Sequence, residues 1–496
     1  MCNHRMILAL GLAMTSACVI PLSAQTSRSV SLQDCFQMAL ERNLDLRIER
    51  LNPEMARYDL SLTYAGYDPQ FTVGGEHDYS LSPGGYDANK NAYPASTSDA
   101  DLFRLGLSGV LPTGFNYNLT GNTREEWGER SSVPFSQNSG SVGLTMRQPL
   151  LKNFWIDSTR MNIQVARKNI KSTEMGLQLQ IMSILTSVEQ AYYDLIFTRE
   201  NVKVQQKALE LAERLLHENK QRVKVGALAP LDEKQAESQV AARKADLLSS
   251  QRQLATQQNT LKRLISDDFG AIAETSLEPT GELLAVPQAF SVQDSWAKGL
   301  TMRPDLLQNR IEVEKQDIVL RYQKNQLYPS LDLVGSYGHT ASDTGYGGVF
   351  RNLGEGSGPY WSYGAQLSFP LGNRAARNNL RNSRARKEQV LLQLKSREQE
   401  IMAQIDNAIQ LAETNLERVD ATHQARLYAE AALDAEQKKL ENGKSTSFVV
   451  LQLQRDLTSA RSSEISALTE YNKSLAQLAL AEGATLQRHE IKLEVK

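Results

Sequence analysis

Across 496 residues the chain balances 55 Lys and Arg against 57 Asp and Glu, a formal net charge of −2. So small a charge argues against a binder of nucleic acid or of an anionic membrane surface. The length would fill two or more ordinary domains, but 41% hydrophobic and 7% aromatic residues suit long, thin elements with narrow apolar seams.

Residues 1–24 read as an export signal: Arg5 is the basic start, "MILALGLAMTSACVIPL" the apolar stretch, and "LSA" ending at Ala24 the cleavage site. Cys18 follows Ser-Ala and is the alternative, lipidated end, but Thr15 stands where a lipobox wants Leu and "VIPL" prolongs the apolar run. Cleavage at Ala24 removes Cys2 and Cys18 and leaves Cys35 alone, so no intramolecular disulfide is expected. Beyond the signal no run of 18 apolar residues occurs. A membrane span in the mature chain would have to be built from strands.

The next stretch, "SLQDCFQMALERNLDL" (31–46), returns as "SVQDSWAKGLTMRPDL" (291–306) without a gap. The same register of 260 residues carries Pro69 onto Pro329, where a helical pattern gives way to alternation at Phe71 and Val73, or Leu331 and Leu333. Further on, "GLTMRQPLL" (143–151) matches "GAQLSFPLG" (364–372), with Pro149 opposite Pro370, and Gly226 matches Gly443. Three collinear matches indicate an internal duplication. The chain divides into a signal peptide (1–24), a first repeat (25–266), a linker (267–290), a second repeat (291–483) and a tail (484–496).

The offset drops by 39 residues between the first two matches, which places an insertion at 74–142. Inside it, "LFRLGLSGVL" and "GFNYNLT" flank Pro112-Thr-Gly and read as an extra hairpin (102–122) extending the outer end. Its entry into a barrel wall is left open.

Lys152 to Val225 contains one glycine and no proline, and Asn373 to Asn442 contains neither. A helix of the second length is about 105 Å long. Its apolar positions Ile401, Ile405, Ala408, Ala412, Leu416 and Val419 step by four and three, a coiled-coil stripe. Each long helix ends in a tight turn, "KVGALAPLD" (224–232) or "ENGKSTSF" (441–448), before a helix of roughly 38 residues. A helix of roughly 23 residues precedes each Pro-marked strand. Twenty-three and 38 nearly sum to 70, so two short helices stacked end to end could accompany one long one.

In "WSYGAQLSFPL", Trp361, Tyr363, Ala365, Leu367, Phe369 and Leu371 share one face, against Ser362, Gly364, Gln366 and Ser368. That is the length and pattern of a tilted membrane strand with aromatics at one interface. Its partner near 330–339 reaches it through a Gly-rich loop. Two hairpins cannot close a sheet alone, and open edges are not tolerated in lipid, so several chains in a ring are implied.

In these motifs ("SLQDCFQMALERNLDL", "YDPQF" with "YPSLDL", "MRQPLL" and "VGALAPLDEKQAESQ") the chain resembles the TolC-like outer-membrane efflux protein family. The resemblance implies an α+β membrane protein of antiparallel coiled-coil helical hairpins and β-hairpins. Three copies, each giving four strands, would form one twelve-stranded barrel continued by a periplasmic α-helical tunnel. It also implies an exit duct in a tripartite efflux or type I secretion system, docked to a periplasmic adaptor and an inner-membrane transporter. Pro69, Pro149, Pro329 and Pro370 would mark the tunnel-to-barrel junctions, and Trp361, Tyr363, Ala365, Leu367 and Phe369 a lipid-facing strand.

By the same resemblance Asp232 corresponds to a tip aspartate that helps tie the periplasmic end shut, although a carboxylate there also satisfies a helix N-terminus. Val225, Gly226, Ala227, Leu228 and Ala229, with Asn442, Gly443, Lys444 and Ser445, would contact the adaptor. The second tip departs from the family pattern: Val449 stands where an acidic constriction belongs, and Ser445 where an Arg does.

No catalytic, metal or cofactor site is expected. The histidines His4, His77, His217, His339, His423 and His489 form no helical ligand pair, and "GYGGVFRNLGEG" (345–356) does not read as a phosphate loop followed by a helix. The alternative to a channel is a soluble periplasmic coiled-coil adaptor or scaffold carrying a small β-domain. It has no need of the duplicated lipid-type alternation.

Overall fold

The computed structural model describes residues 27–130, 132–226 and 228–491. The expected signal peptide, Cys18 and the tip residue Ala227 lie outside the described residues. The described chain gathers into two units. The first takes the residues up to Asn43, Val188–Leu284 and Gln424–Thr469; the second takes Leu44–Ser187, Ala285–His423 and the residues from Glu470 on.

The chain starts with strand β1 (Ser27–Val30) and helices α1 (Leu32–Arg42) and α2 (Leu44–Tyr64). Ser31 opens α1 with a reciprocal cap: its hydroxyl accepts from the Asp34 N–H at 3.1 Å, and Asp34 accepts the Ser31 N–H at 3.0 Å. After Pro69 come β2 (Gln70–Ser82), the short pair β3 (Gly85–Tyr86) and β4 (Ala92–Tyr93), then β5 (Ser96–Val110), β6 (Asn116–Arg130) and β7 (Val133–Pro149). Helix α3 (Ser158–Lys224) is 67 residues long, and α4 (Pro230–Ile265) follows it. Short α5 (Phe269–Ile272) and β8 (Ser276–Pro279) lead to α6 (Val292–Met302), α7 (Pro304–Asn325) and β9 (Ser330–Asp343). The chain closes with α8 (Tyr346–Gly354), β10 (Pro359–Ser368), the 68-residue α9 (Arg374–Glu441), α10 (Ser447–Glu482) and α11 (Thr485–Arg488).

Leu32 and Val292, Leu44 and Pro304, and Gln70 and Ser330 each begin elements 260 residues apart. Helices α4 and α10 are both 36 residues long. Neither long helix contains a proline, α9 contains no glycine, and α3 runs through the single glycine Gly176; Gly and Pro are the two residues that interrupt helices most strongly.

In the first unit β1 and β8 pair in parallel. Tyr192, fully buried on α3, ties this pair down: its hydroxyl donates to the Val30 carbonyl (3.2 Å) and accepts the Gly281 N–H (2.9 Å). Leu215, Leu433, Leu440, Val450, Leu451 and Leu457 form the core between the helices of this unit. Cys35 is fully buried, and burial pushes its thiol up to about 12, the state of an unreactive packing residue.

The second unit holds a helical cluster and a sheet. Leu306, Ile401, Ile405, Ala408, Ile409, Leu478 and Ala481 make the cluster, with Trp296 packed on it and donating Nε1–H to the Met402 carbonyl at 3.2 Å. Helix α6 approaches α9 closely because residue 299 is glycine; a Cβ there would lie 2.5 Å from Ile405 Cδ1. Gly299→Val is expected to cost about 1–3 kcal/mol by overpacking, read as a lower urea midpoint in circular dichroism. The stripe on α9 differs from expectation at one step. Asn415 is buried and Leu416 only half-buried, and Asn415 Nδ2 donates to the Glu470 carbonyl at 3.3 Å. A single polar residue in a coiled-coil seam fixes register.

The sheet has six antiparallel strands in the order β10-β9-β7-β6-β5-β2. This corrects two expectations. The inserted hairpin does not extend the outer end; β5 and β6 stand side by side between β2 and β7, so one chain gives six strands where the resemblance implies four. Fifteen residues of unbroken extended backbone in each leave a row of polar groups that only lateral neighbours can satisfy. The expected Gly-rich loop after β9 contains helix α8, whose Val349 is fully buried.

Candidate functional site

Directly opposite residues of an antiparallel sheet share a face, so the pairings sort the side chains of the whole sheet. One face carries Phe71 and Val73 of β2, Phe103, Leu105 and Leu107 of β5, and Tyr117 and Leu119 of β6. It continues with Val142, Leu144 and Met146 of β7, Leu331, Leu333 and Tyr337 of β9, and Trp361, Tyr363, Ala365 and Leu367 of β10. The apolar alternation therefore runs unbroken across six strands. Tyr363 is 83% exposed and Val73 69% exposed, in a chain that buries leucines elsewhere.

At the end of this face farther from Pro69, His77 lies 2.8 Å from Asp101 and 3.8 Å from Asp99, beside Trp127. Polar groups and an aromatic thus edge the apolar band. Helix α8 lies on the same face: a Cβ on Gly140 would come within 2.7 Å of Val349 Cγ1.

The opposite face is polar, with Thr72, Arg104, Ser108, Asn118, Thr120, Asn122, Thr145, Ser336, Ser362 and Gln366. Its charges alternate in sign: Arg104 sits 3.2 Å from Glu76, Arg124 3.4 Å from Glu126, and Arg147 2.5 Å from Asp332. Mixed charges suit a water-filled surface that does not select strongly by sign.

The four prolines expected at junctions all lie at strand ends. Pro69 and Pro329 immediately precede β2 and β9, Pro149 ends β7, and Pro370 lies just beyond β10. Proline ends a ladder because it has no N–H to give. Strand β10 covers Trp361, Tyr363, Ala365 and Leu367 but stops at Ser368, so Phe369 falls outside it. That is a correction to the expected strand, which starts two residues earlier and ends three earlier. Pro370 restricts Phe369 and cannot itself pair.

The two helical tips lie in the first unit. Gly226 ends α3 with φ +74° and Gly443 follows α9 with φ +65°, the left-handed conformation that favours glycine. At the first tip Val225 and Ala229 are exposed, Leu228 is half-buried, and Pro230 begins α4. Asp232 Oδ2 accepts the Ala229 N–H at 3.2 Å and so caps its own helix; Ala229, lacking a side-chain acceptor, cannot reciprocate. Just beyond, Glu237 bridges Lys234 (2.8 Å) on its own helix and Lys220 (3.2 Å) on α3. These two hydrogen bonds hold its carboxyl below the usual range.

At the second tip the Gly443 N–H reaches the Leu440 carbonyl (3.1 Å) and the Lys444 N–H that of Lys439 (2.8 Å). Asn442 Nδ2 caps Lys438 at 2.7 Å, and the Ser445 hydroxyl donates to Glu436 at 2.5 Å. Lys439 first, and Ser445 second, keep the Glu436 carboxyl below its ordinary value. Val225, Leu231 and Phe448 leave large apolar surface exposed around the two tips. Among the described residues no helix is long and apolar enough to cross a membrane, and no cluster of metal-ligating side chains occurs.

A family model described as outer membrane efflux protein matches residues 115–266 and 298–484. The chain belongs to that family. The efflux protein is 21% identical over 394 residues to the outer membrane efflux protein BepC of Brucella suis biovar 1 (strain 1330), covering 79% of this chain and 82% of that one. It is 20% identical over 427 residues to the cation efflux system protein CusC of Escherichia coli O157:H7, covering 85% and 79%. Among solved structures, the CmeC outer membrane channel of Campylobacter jejuni matches with a TM-score of 0.67 at 15% identity, over 97% of this chain and 94% of that one. The outer membrane protein VceC of Vibrio cholerae matches at 0.66 with 17% identity, over 91% and 96%.

The efflux protein is thus an outer-membrane exit duct of a tripartite efflux system, and the reading as a periplasmic scaffold is set aside. Sequence reasoning missed one structural anchor. Arg303 and Asp305 form a buried bidentate pair (3.0 and 2.6 Å), and Arg303 also donates to Gln404 (2.8 Å) and the Ala481 carbonyl (3.2 Å). The "RPD" triplet is the only signal for it.

Proposed function

We propose that three copies of this chain form a passive duct whose apolar sheet face meets outer-membrane lipid and whose polar face lines the lumen. The observation that carries the reading is the two-faced sheet: its apolar face keeps exposed side chains on all six strands, and neither edge has a neighbour among the described residues. Lipid tolerates no open edge, so the sheet closes through other copies. Equal offsets between matching elements support the internal duplication, and the helices supply the periplasmic tunnel.

The tips, with exposed Val225, Leu231 and Phe448 beside Gly226 and Gly443, receive the periplasmic adaptor that links the duct to its inner-membrane transporter. Asp232 serves as the gate residue with the Oδ2 that caps α4, so capping and closure share one carboxylate. The cargo is a small solute or metal ion rather than a folded protein. Relatives named as an antibiotic efflux pump protein and a cation efflux system protein favour that class. Transport itself needs no catalytic group.

The test adds detergent-purified mature protein to a planar bilayer and measures its native mass. A three-copy assembly of small conductance, rising several-fold in Asp232→Ala, is expected. Free conduction in the parent protein would remove Asp232 from the gate. A protein that never inserts would overturn the lipid-facing reading of the sheet.

A further inference from the structure

The inserted hairpin points to a barrel wider than the family resemblance implies. We infer that β5 and β6 belong to the wall, so that three copies of six strands close an eighteen-stranded barrel by pairing β10 of one copy with β2 of the next. This rests on the three-copy reading above. Barrel diameter grows roughly linearly with strand number, and walls of 16–18 strands enclose an aqueous channel. Eighteen strands instead of twelve make the outer half of the duct about 1.5-fold wider. The solute class it passes there is correspondingly bulkier.

Four observations carry the inference. The hairpin strands are long enough: β5 and β6 have 15 residues each, where a tilted span needs about 9–11. They are fully paired on both sides. Strand β2 pairs with β5 from Gln70↔Ser108 to Ser82↔Ser96, and β6 with β7 from Asn116↔Arg147 to Arg130↔Val133. No pairing of β2 with β7 remains. Their alternation continues that of the neighbours, with Phe103, Leu105, Leu107 and Leu119 on the apolar face and Arg104, Asn118 and Thr120 on the polar one.

The edges also match. Strand β2 leaves Pro69 and β10 runs toward Pro370, so the two run in opposite directions from one level of the wall. Edge-to-edge pairing is therefore antiparallel. With an even strand count per copy, the whole ring is antiparallel and apolar on one side, as outer-membrane barrels are. The occupant of each edge is a second copy of this chain, because only a ring of identical copies pairs every β10 with a β2 and leaves no edge open.

Single cysteines at three consecutive β6 positions test the placement in lipid vesicles, with the parent protein, whose Cys35 is buried, as the blank. Asn118→Cys and Thr120→Cys are expected to react with a membrane-impermeant maleimide. Leu119→Cys should react only with a lipid-soluble one. Neutral polymers of graded size, added from the outer side, should be admitted up to a radius about 1.5-fold that admitted by a twelve-stranded relative. Equal aqueous labelling at all three positions, or a cutoff equal to the relative's, would put the hairpin outside the wall and overturn the inference. A native mass other than three copies would overturn the three-copy reading and the count of eighteen, even with the labelling alternation intact.

Discussion

Asp305→Ala is expected to destabilise the efflux protein by about 3–5 kcal/mol, because it strands a buried guanidinium. The side chains of Arg303 and Asp305 are 10% and 9% exposed and share two hydrogen bonds. Removing the carboxylate leaves Arg303 with only neutral acceptors on Gln404 and Ala481, and strips the Leu306 N–H of its partner at 2.9 Å. Replacing both members by apolar residues, as in Arg303→Met with Asp305→Leu, should recover most of the loss. Urea unfolding followed by circular dichroism checks both variants. Recovery by the double variant separates a stranded charge from lost packing.

The same pair sets a pH dependence. Burial raises the Asp305 carboxyl, but the hydrogen bonds and charge of Arg303 outweigh it, and the net direction is down. A carboxyl depressed in the fold contributes stability that is full above its unfolded value of about 3.9. That contribution is lost as pH falls through the lower folded value. The stability gap between the parent protein and Asp305→Asn should therefore be flat above about pH 5 and close below about pH 4. A gap that stays constant down to pH 3 would show that the charge of Asp305 adds nothing.

Much of this architecture is written locally. The long helices are legible because Pro is missing and Gly all but missing over whole stretches, and their ends because Gly226 and Gly443 take conformations that other residues resist. The junctions at Pro69 and Pro329 are equally local. What escapes is whatever depends on a distant partner. The 102–122 hairpin shows the same alternation whether it stands beside the wall or inside it; the choice belongs to β2 and β7. Helix α8 forms against the helix-breaking tendency of its glycines, about 1 kcal/mol each, because Val349 finds a seat over Gly140. Arg303 and Asp305 look like surface charges until α9 and α10 cover them. At the tips, glycine geometry and the aspartate were legible, but the Asp232 bond to Ala229 and the Ser445 bond to Glu436 required the fold.

Leu144→Arg and Thr145→Arg are expected to separate widely in lipid vesicles although they are neighbours in β7. Leu144 stands between Leu119 and Tyr337 on the apolar face; Thr145 stands between Asn118 and Ser336 on the polar one, its hydroxyl donating to the Asn118 carbonyl at 3.3 Å. An arginine facing lipid near the bilayer midplane costs about 2–4 kcal/mol, while lumen positions accept charge. Leu144→Arg should lose that amount in guanidinium unfolding from vesicles, and Thr145→Arg about 1 kcal/mol or less. The effect should fall toward the polar rim at His77 and Asp101, where arginine can reach headgroups. Equal costs at 144 and 145 would mean that water reaches both faces. The apolar side chains exposed on all six strands would then have to be covered by another protein, because a bare apolar sheet of that width does not persist in water.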